Sequence, residues 1–291
     1  MKNNRLAFLL LLPALLVIAV TTVFPMLYSL ALSFRSWKLS YSATPGPFVG
    51  LENYAELFAG DAEFGGAVST MLIFVLADVL ATCLVALGGA LLLRRAGRVN
   101  SLARALLMLP FVMSPALIGI SLRFFLNPEY GVIAASLGRL FPALASLIWL
   151  ADPAWAMVAL VISDVWHWAP YMTLILLGGL ASVPRETEEA ASVDGASALR
   201  VFCDITLPQL KPVVAVVILL KTVFALKAFD AVFSLTDGGP GNATTTLAYL
   251  VYQIGFRYYD MGHAAAAGYV LTAVMLVLAG FYLRLAFRKG I

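Results

Sequence analysis

Glu189-Ala190-Ala191-Ser192-Val193-Asp194-Gly195-Ala196 leads, with nine residues between Gly195 and Ile205, to Ile205-Thr206-Leu207-Pro208. Together with Arg185, Glu186, Glu188 and Arg200 these residues form a polar island between two long apolar segments. Pro184 followed by acidic residues reads as a helix start, because carboxylates in a first turn complement the helix dipole. Gly195 permits a tight turn with positive φ. A second short helix is expected from about Ala196 to Asp204, with Leu207-Pro208 ending it, since proline blocks helix continuation. A soluble helix–turn–helix in so apolar a chain implies that something soluble docks on it.

The surroundings are those of an integral membrane protein. Of 291 residues, 62% are hydrophobic and 12% charged, against about 45–50% and about 25% in soluble domains. The net charge of +3 is mild and its basic residues are scattered, which gives no support to nucleic-acid binding. Cys83 and Cys203 have no spacing of disulfide or metal-site type. Lys2 and Arg5 precede an uncharged run from Leu6 to Phe34. That is longer than a signal core of about 7–15 residues, so it reads as a retained first membrane helix.

A crossing helix needs roughly 20 apolar residues. Residues 6–34, 66–93, 105–122, 154–183, 213–235 and 264–283 qualify, the fifth despite Lys221, Lys227 and Asp230. These long continuous runs exclude a spanning β-barrel. Segment 132–151 is apolar but holds Arg139 and Pro142, and basic-residue counting decides its status. With six spans, Lys2, Arg5, Arg94, Arg95, Arg98, Arg104, Arg185, Arg200, Lys211, Arg284, Arg288 and Lys289 are cytoplasmic. Only Arg35, Lys38, Arg123, Arg139 and Arg257 lie outside. A seventh span would reverse the polar island and the basic tail. The reading is therefore an all-α integral membrane protein with six transmembrane helices, both termini cytoplasmic, and 132–151 as a helix on the outer surface. The first outer loop carries Glu52, Glu56, Asp61 and Glu63, and its Leu51, Tyr54, Leu57 and Phe58 form a near-helical stripe. No internal repeat or linker is visible, so residues 1–291 read as one membrane domain with a polar loop at 184–211.

At Glu189-Ala190-Ala191, Asp194-Gly195 and Ile205-x-Leu207-Pro208 the chain resembles the membrane-spanning permease subunits of bacterial ABC importers. Phe229-Asp230 with Leu235-Thr236-Asp237-Gly238-Gly239-Pro240, and Phe48-x-Gly50-Leu51-x-Asn53-Tyr54, are similar to the carbohydrate-uptake branch of maltose and glycerol-phosphate type. The resemblance implies the type I ABC importer permease fold with cytoplasmic coupling helices, in the bacterial inner membrane. It implies that Glu189, Ala190, Ala191, Asp194, Gly195, Ile205, Leu207 and Pro208 couple to an ATPase. It further implies a second permease subunit that forms a heterodimer with this one in the lipid bilayer, an ATP-binding cassette ATPase dimer, an external solute-binding protein and a sugar or polyol solute. No G-x-x-x-x-G-K-[ST] loop occurs in the chain, so ATP and Mg belong to the partner ATPase and this chain carries no cofactor.

Ionisable groups in a span cost roughly 2.5–3.5 kcal/mol each and mark places to examine. Asp78 stands alone in its span and reads as a contact to a neighbouring helix. Asp164, His167 and Trp168 share one face of the fourth span, with Tyr171 and Pro170 a turn further on. In the fifth span Phe224 and Lys227 lie one turn apart, and Lys227 and Asp230 at i, i+3 read either as solute contacts or as an internal ion pair. Aromatic faces beside hydrogen-bonding groups suit a sugar. The resemblance also places Asp164, His167, Trp168, Phe224, Ala225 and Ala228 at solute-contacting positions; Lys227 and Asp230 are added for their polarity alone. His167 does not read as a metal ligand, since the chain has one other histidine, His263, which falls at the outer side, and no catalytic constellation is visible. The competing readings are an ion-coupled secondary carrier that relays protons through Asp164, His167 and Asp230, and an intramembrane enzyme.

Overall fold

The computed structural model describes residues 2–59, 62–95 and 100–287. Asp61, Arg98, Arg288 and Lys289, which enter the readings above, lie outside the described residues. Among the described residues there are helices and two isolated bridges, Arg35 with Phe48 and Lys38 with Asp260, and no strand.

Five helices are long and apolar enough to cross a membrane: α1 (Leu10–Ser33), α3 (Ala62–Arg95), α7 (Pro153–Ala181), α9 (Ala198–Leu226) and α10 (Met261–Phe287). Between α1 and α3 lies α2 (Glu52–Phe58). The expected span at 105–122 is a bent pair, α4 (Leu102–Val112) and α5 (Pro115–Phe125), which meet at 88°. The cause is local. Pro115 disfavours helical geometry at the residue before it, and Ser114 is extended with ψ 134°. Segment 132–151 yields only α6 (Val132–Leu140) and a 3₁₀ turn at Pro142–Leu144. Nine residues reach about 13 Å, far short of a bilayer core.

The fifth span also departs from expectation. Helix runs without interruption through Leu207-Pro208, because Phe202–Thr206 is a π-turn. There the Leu207 N–H reaches the Phe202 carbonyl, one residue further back than in an α-helix. The wider turn gives the ring of Pro208 room beside the Asp204 carbonyl, with which it would otherwise clash. The same device recurs in α1, where Ala19–Val23 is a π-turn and Pro25 follows one residue after its closing bond. At its other end α9 stops at Leu226, well before the expected Leu235, and a separate π-turn spans Val232–Thr236.

Contacts gather into two compact units, residues 1–65 with 250–273, and residues 66–249 with 274–291. In the first, the Asn53 side chain donates to the carbonyls of Ser33 (2.8 Å) and Arg35 (3.0 Å), and the Tyr54 hydroxyl donates to Ser33 Oγ (2.7 Å). Thus α2 turns Asn53, Tyr54 and Leu57 inward, while Leu51 and Phe58 of the expected stripe are exposed. His263 bridges Glu56 (2.6 Å) and Asp260 (3.2 Å), and Lys38 pairs with Asp260 at 3.4 Å. Burial opposes ionisation of Asp260, yet hydrogen bonds from His263 outweigh it and hold this carboxyl below its usual range.

In the second unit α7 is the central helix: 56% of its apolar window is buried, whereas none of the α1 window is. Asp152 caps it by accepting from the N–H groups of Ala154 (2.9 Å) and Trp155 (3.0 Å), with Pro153 at the first position. Its core face, Met172, Leu176 and Leu180, meets Ala86 and Ala90 of α3 and Leu210 and Val217 of α9. Gly179 lets α9 approach: a Cβ there would stand 2.8 Å from Leu210 and 2.9 Å from Val213.

Candidate functional site

Three ionisable side chains, one from each of three apolar helices, meet at the centre of the second unit. The Lys221 ammonium from α9 contacts the carboxylates of Asp78 on α3 and Asp164 on α7. Lys221 and Asp78 are fully buried, and the Asp164 side chain is 7% exposed. Thr82, one turn after Asp78, donates to its second oxygen at 3.3 Å. A lone charge in such surroundings would be strongly unfavourable; a cation shared by two anions offsets much of that desolvation. Asp78 is therefore a partner of Lys221, a residue that sequence reasoning recorded only as an oddity in its span. Its signal was the opposite charges in three apolar runs, Asp78 and Asp164 against Lys221.

Lys221 also lies 5.8 Å from the centre of the Trp168 ring, and Trp168 stacks on Phe224 with centroids 4.2 Å apart and planes inclined by 13°. Asp164, Trp168, Phe224, Lys227, Ala228 and Asp230 line a cavity of about 340 Å³ together with Pro115 at the α4–α5 break. Six of the eight expected pathway residues are thus assembled in one place. Of the other two, His167 points elsewhere. Its Nδ1 lies 3.1 Å from the Pro110 carbonyl, and its ring stacks on Phe111 at 5.6 Å, so it anchors α4 against α7. Ala225 is fully buried behind the cavity.

The cavity owes its mouth to the end of α9. Lys227 leaves the helix, and Thr246 donates to the Ala228 carbonyl freed by the break (3.0 Å). The break also separates Lys227 from Asp230. The i, i+3 geometry that would pair them exists only in a helix. The two make no ion pair in this structure; the Lys227 ammonium sits 5.6 Å from the centre of the Phe224 ring. Both side chains are exposed to the cavity side. Among the described residues no group of His, Cys, Asp or Glu is arranged to hold a metal ion.

The polar island forms α8 (Arg185–Val193), a turn at Asp194-Gly195 and the start of α9. Gly195 has φ +86°, with the Ala196 N–H bonded to the Ala191 carbonyl at 3.0 Å, which closes the helix end. Glu189, Ala190, Asp194, Gly195 and Pro208 are exposed; Ala191, Ile205 and Leu207 are half-buried. Glu188, one position before Glu189, turns inward instead. It accepts from Arg94 of α3 (2.8 Å) and from Thr206 of α9 (2.5 Å). Burial works against its charge, but these donors and the Arg94 charge prevail and lower its pKa. Glu188, Arg94 and Thr206 were not singled out from sequence, because their pairing is long-range. Val193 and Leu199, 87% and 72% exposed, flank the turn with apolar surface, which suits a docking tip.

Residues 78–290 match the family described as binding-protein-dependent transport system inner membrane component. The sulfoquinovosyl glycerol transport system permease protein of Agrobacterium fabrum is 35% identical, over 97% of this chain and 91% of that protein. The trehalose/maltose transport system permease protein of Thermococcus litoralis is 34% identical over 95% and 91%. In fold, the chain superposes with a TM-score of 0.85 and 22% identity on a chain of a bacterial ABC transporter involved in the import of the acidic polysaccharide alginate, covering 100% of this chain and 98% of that one. The ion-coupled carrier and the intramembrane enzyme are thereby set aside. The chain belongs to the family of binding-protein-dependent ABC importer permeases, and is an integral membrane transport subunit rather than an enzyme.

Proposed function

We propose that this permease translocates a carbohydrate or polyol, and that the cavity between Asp164, Trp168, Phe224, Lys227 and Asp230 is where the solute rests. The observation that carries the reading is the Trp168–Phe224 stack beside a carboxylate held in place by Lys221. A sugar presents C–H faces to aromatic rings and hydroxyls to charged hydrogen-bonding groups, and this cavity offers both. The relatives named for sulfoquinovosyl glycerol and for trehalose and maltose agree with that class.

In this reading α8 and the Gly195 turn seat in a separate ATPase, with Glu189, Ala190, Ala191, Asp194 and Gly195 at the contact and Ile205, Leu207 and Pro208 leading force into α9. ATP and Mg sit on that partner, which works as a dimer. A second, non-identical permease completes the pathway, and an external binding protein delivers solute at the opposite face. Both termini of this chain and the coupling loop then lie in the cytoplasm, across the inner membrane. The test is to reconstitute this chain with its neighbouring permease, ATPase and binding protein in liposomes, after a thermal-shift screen of the binding protein against sugars and polyols. ATP-dependent accumulation of the identified solute is expected. Uptake without the ATPase, or a binding protein that answers only to non-carbohydrate solutes, overturns the reading.

A further inference from the structure

Apart from the solute cavity, the second unit contains a cavity of about 430 Å³ at the C-terminal end of α7, into which Arg94, Arg104 and Arg185 converge. Its remaining wall is apolar, formed by Leu174, Leu177 and Val183 among others. We propose that this cavity binds the headgroup of an anionic phospholipid, a role independent of which solute the permease carries. Three observations support it. The cavity lies where the spanning helix α7 stops, so a molecule in it has its polar end level with the helix terminus and its apolar end along the helix. That is the polarity of a phospholipid at the membrane surface.

The charge is also unspent. Arg94 gives one nitrogen to Glu188, which leaves most of its five donors free. Arg104 and Arg185 are exposed, and neither stands within ion-pair distance of a carboxylate among the described residues; Arg185 attracts Glu188 only through space. Guanidinium groups grip phosphate with paired donors, and basic pockets between spans are suited to acidic headgroups. Finally, Gly178 leaves the floor open: a Cβ added there meets nothing within 4 Å. Through the Arg94–Glu188 link, an occupant of this cavity bears on α8 and so on the coupling loop.

The test uses the full chain purified in detergent, with melting temperature read against dioctanoyl phosphatidylglycerol. A saturable rise is expected, absent with dioctanoyl phosphatidylcholine and absent with inorganic phosphate at the same concentration. R104Q/R185Q should raise the half-saturating concentration about thirty-fold, at about five- to sixfold per arginine. If that variant is too unstable to measure, Gly178→Leu provides the same reading by filling the cavity, and the phosphatidylglycerol response should vanish. An equal rise with phosphatidylcholine, a full response to phosphate alone, or an unchanged response in the variants overturns the site. Because binding is read without transport, that result leaves the solute reading untouched.

Discussion

The loop that joins α7 to α9 and the ion triad carried by those same two helices solve opposite problems. The loop keeps its charges in water: Glu189 and Asp194 are exposed, and the Gly195 turn stands free with apolar Val193 and Leu199 beside it. The triad buries its charges, Lys221 and Asp78 fully and Asp164 nearly so at the cavity wall, and every group in it depends on the others. The loop is therefore tolerant as a fold and demanding as a contact. The triad is demanding as a fold, and its effect on solute passes through Asp164 and Trp168.

The largest effect should come from removing the cation. Lys221→Met leaves two buried carboxylates facing each other and is expected to cost about 3–5 kcal/mol, with folded yield and uptake both collapsing. Adding Asp78→Asn should restore part of the folded yield, measured by size-exclusion profile, because it removes one of the two uncompensated charges. No recovery in the double variant would break the picture of a mutually dependent triad. Next in size is the loop. Glu189→Lys should abolish uptake while the protein stays inserted and as thermally stable as the parent; Gly195→Trp should also abolish uptake, at a small cost in stability because φ +86° strains any side chain there, and in both ATPase stimulation by loaded binding protein should be lost. A large fall in melting temperature would erase the contrast between loop and triad.

Trp168→Ala should raise the half-saturating solute concentration up to about tenfold, the scale of one lost aromatic stack, with a smaller change in maximal rate. Exchange of Lys227 and Asp230 sharpens the same point: since the two do not pair, the swap should impair solute affinity instead of being silent. The smallest effect concerns Glu188. Its lowered pKa means the Arg94–Glu188–Thr206 link is fully present above the usual carboxylate value of 4.5 and is lost as pH falls through the lowered one. Glu188→Gln should destabilise by about 1–2 kcal/mol at pH 7, and the difference from the parent should hold down to the usual carboxylate value and shrink in thermal melts only below it.

The two regions were legible to different degrees for the same reason. The loop is local: Glu189 to Pro208 is contiguous, and its spacing is its structure. The triad is assembled from residues far apart in sequence, so Asp78 read as isolated until α3, α7 and α9 were brought together. Prolines misled in one direction each. Pro208 was expected to end a helix but is absorbed by a π-turn, whereas Pro115, inside an apparently continuous apolar run, bends it by 88°. Local rules state what a proline forbids. Whether the chain widens, bends or stops is settled by packing, here of α9 on α7 and of α5 on the Val232–Thr236 turn. Lys227 and Asp230 illustrate the same limit, since their helical pairing disappeared once the helix ended between them.

The π-turn at Phe202–Thr206 also sets an angular register. It inserts one residue beyond the regular repeat, and in a helix of 3.6 residues per turn each residue is worth about 100° of rotation. Every side chain downstream on α9 is indexed from that insertion, Lys221 and Phe224 included. Deleting a single residue between Phe202 and Thr206 would leave the motif at Glu189–Gly195 intact and the span just as apolar, yet it would turn the ammonium of Lys221 away from Asp164 by more than a quarter of a revolution. The phase of the solute cavity is thus written in the coupling segment, about five helical turns before the cavity begins.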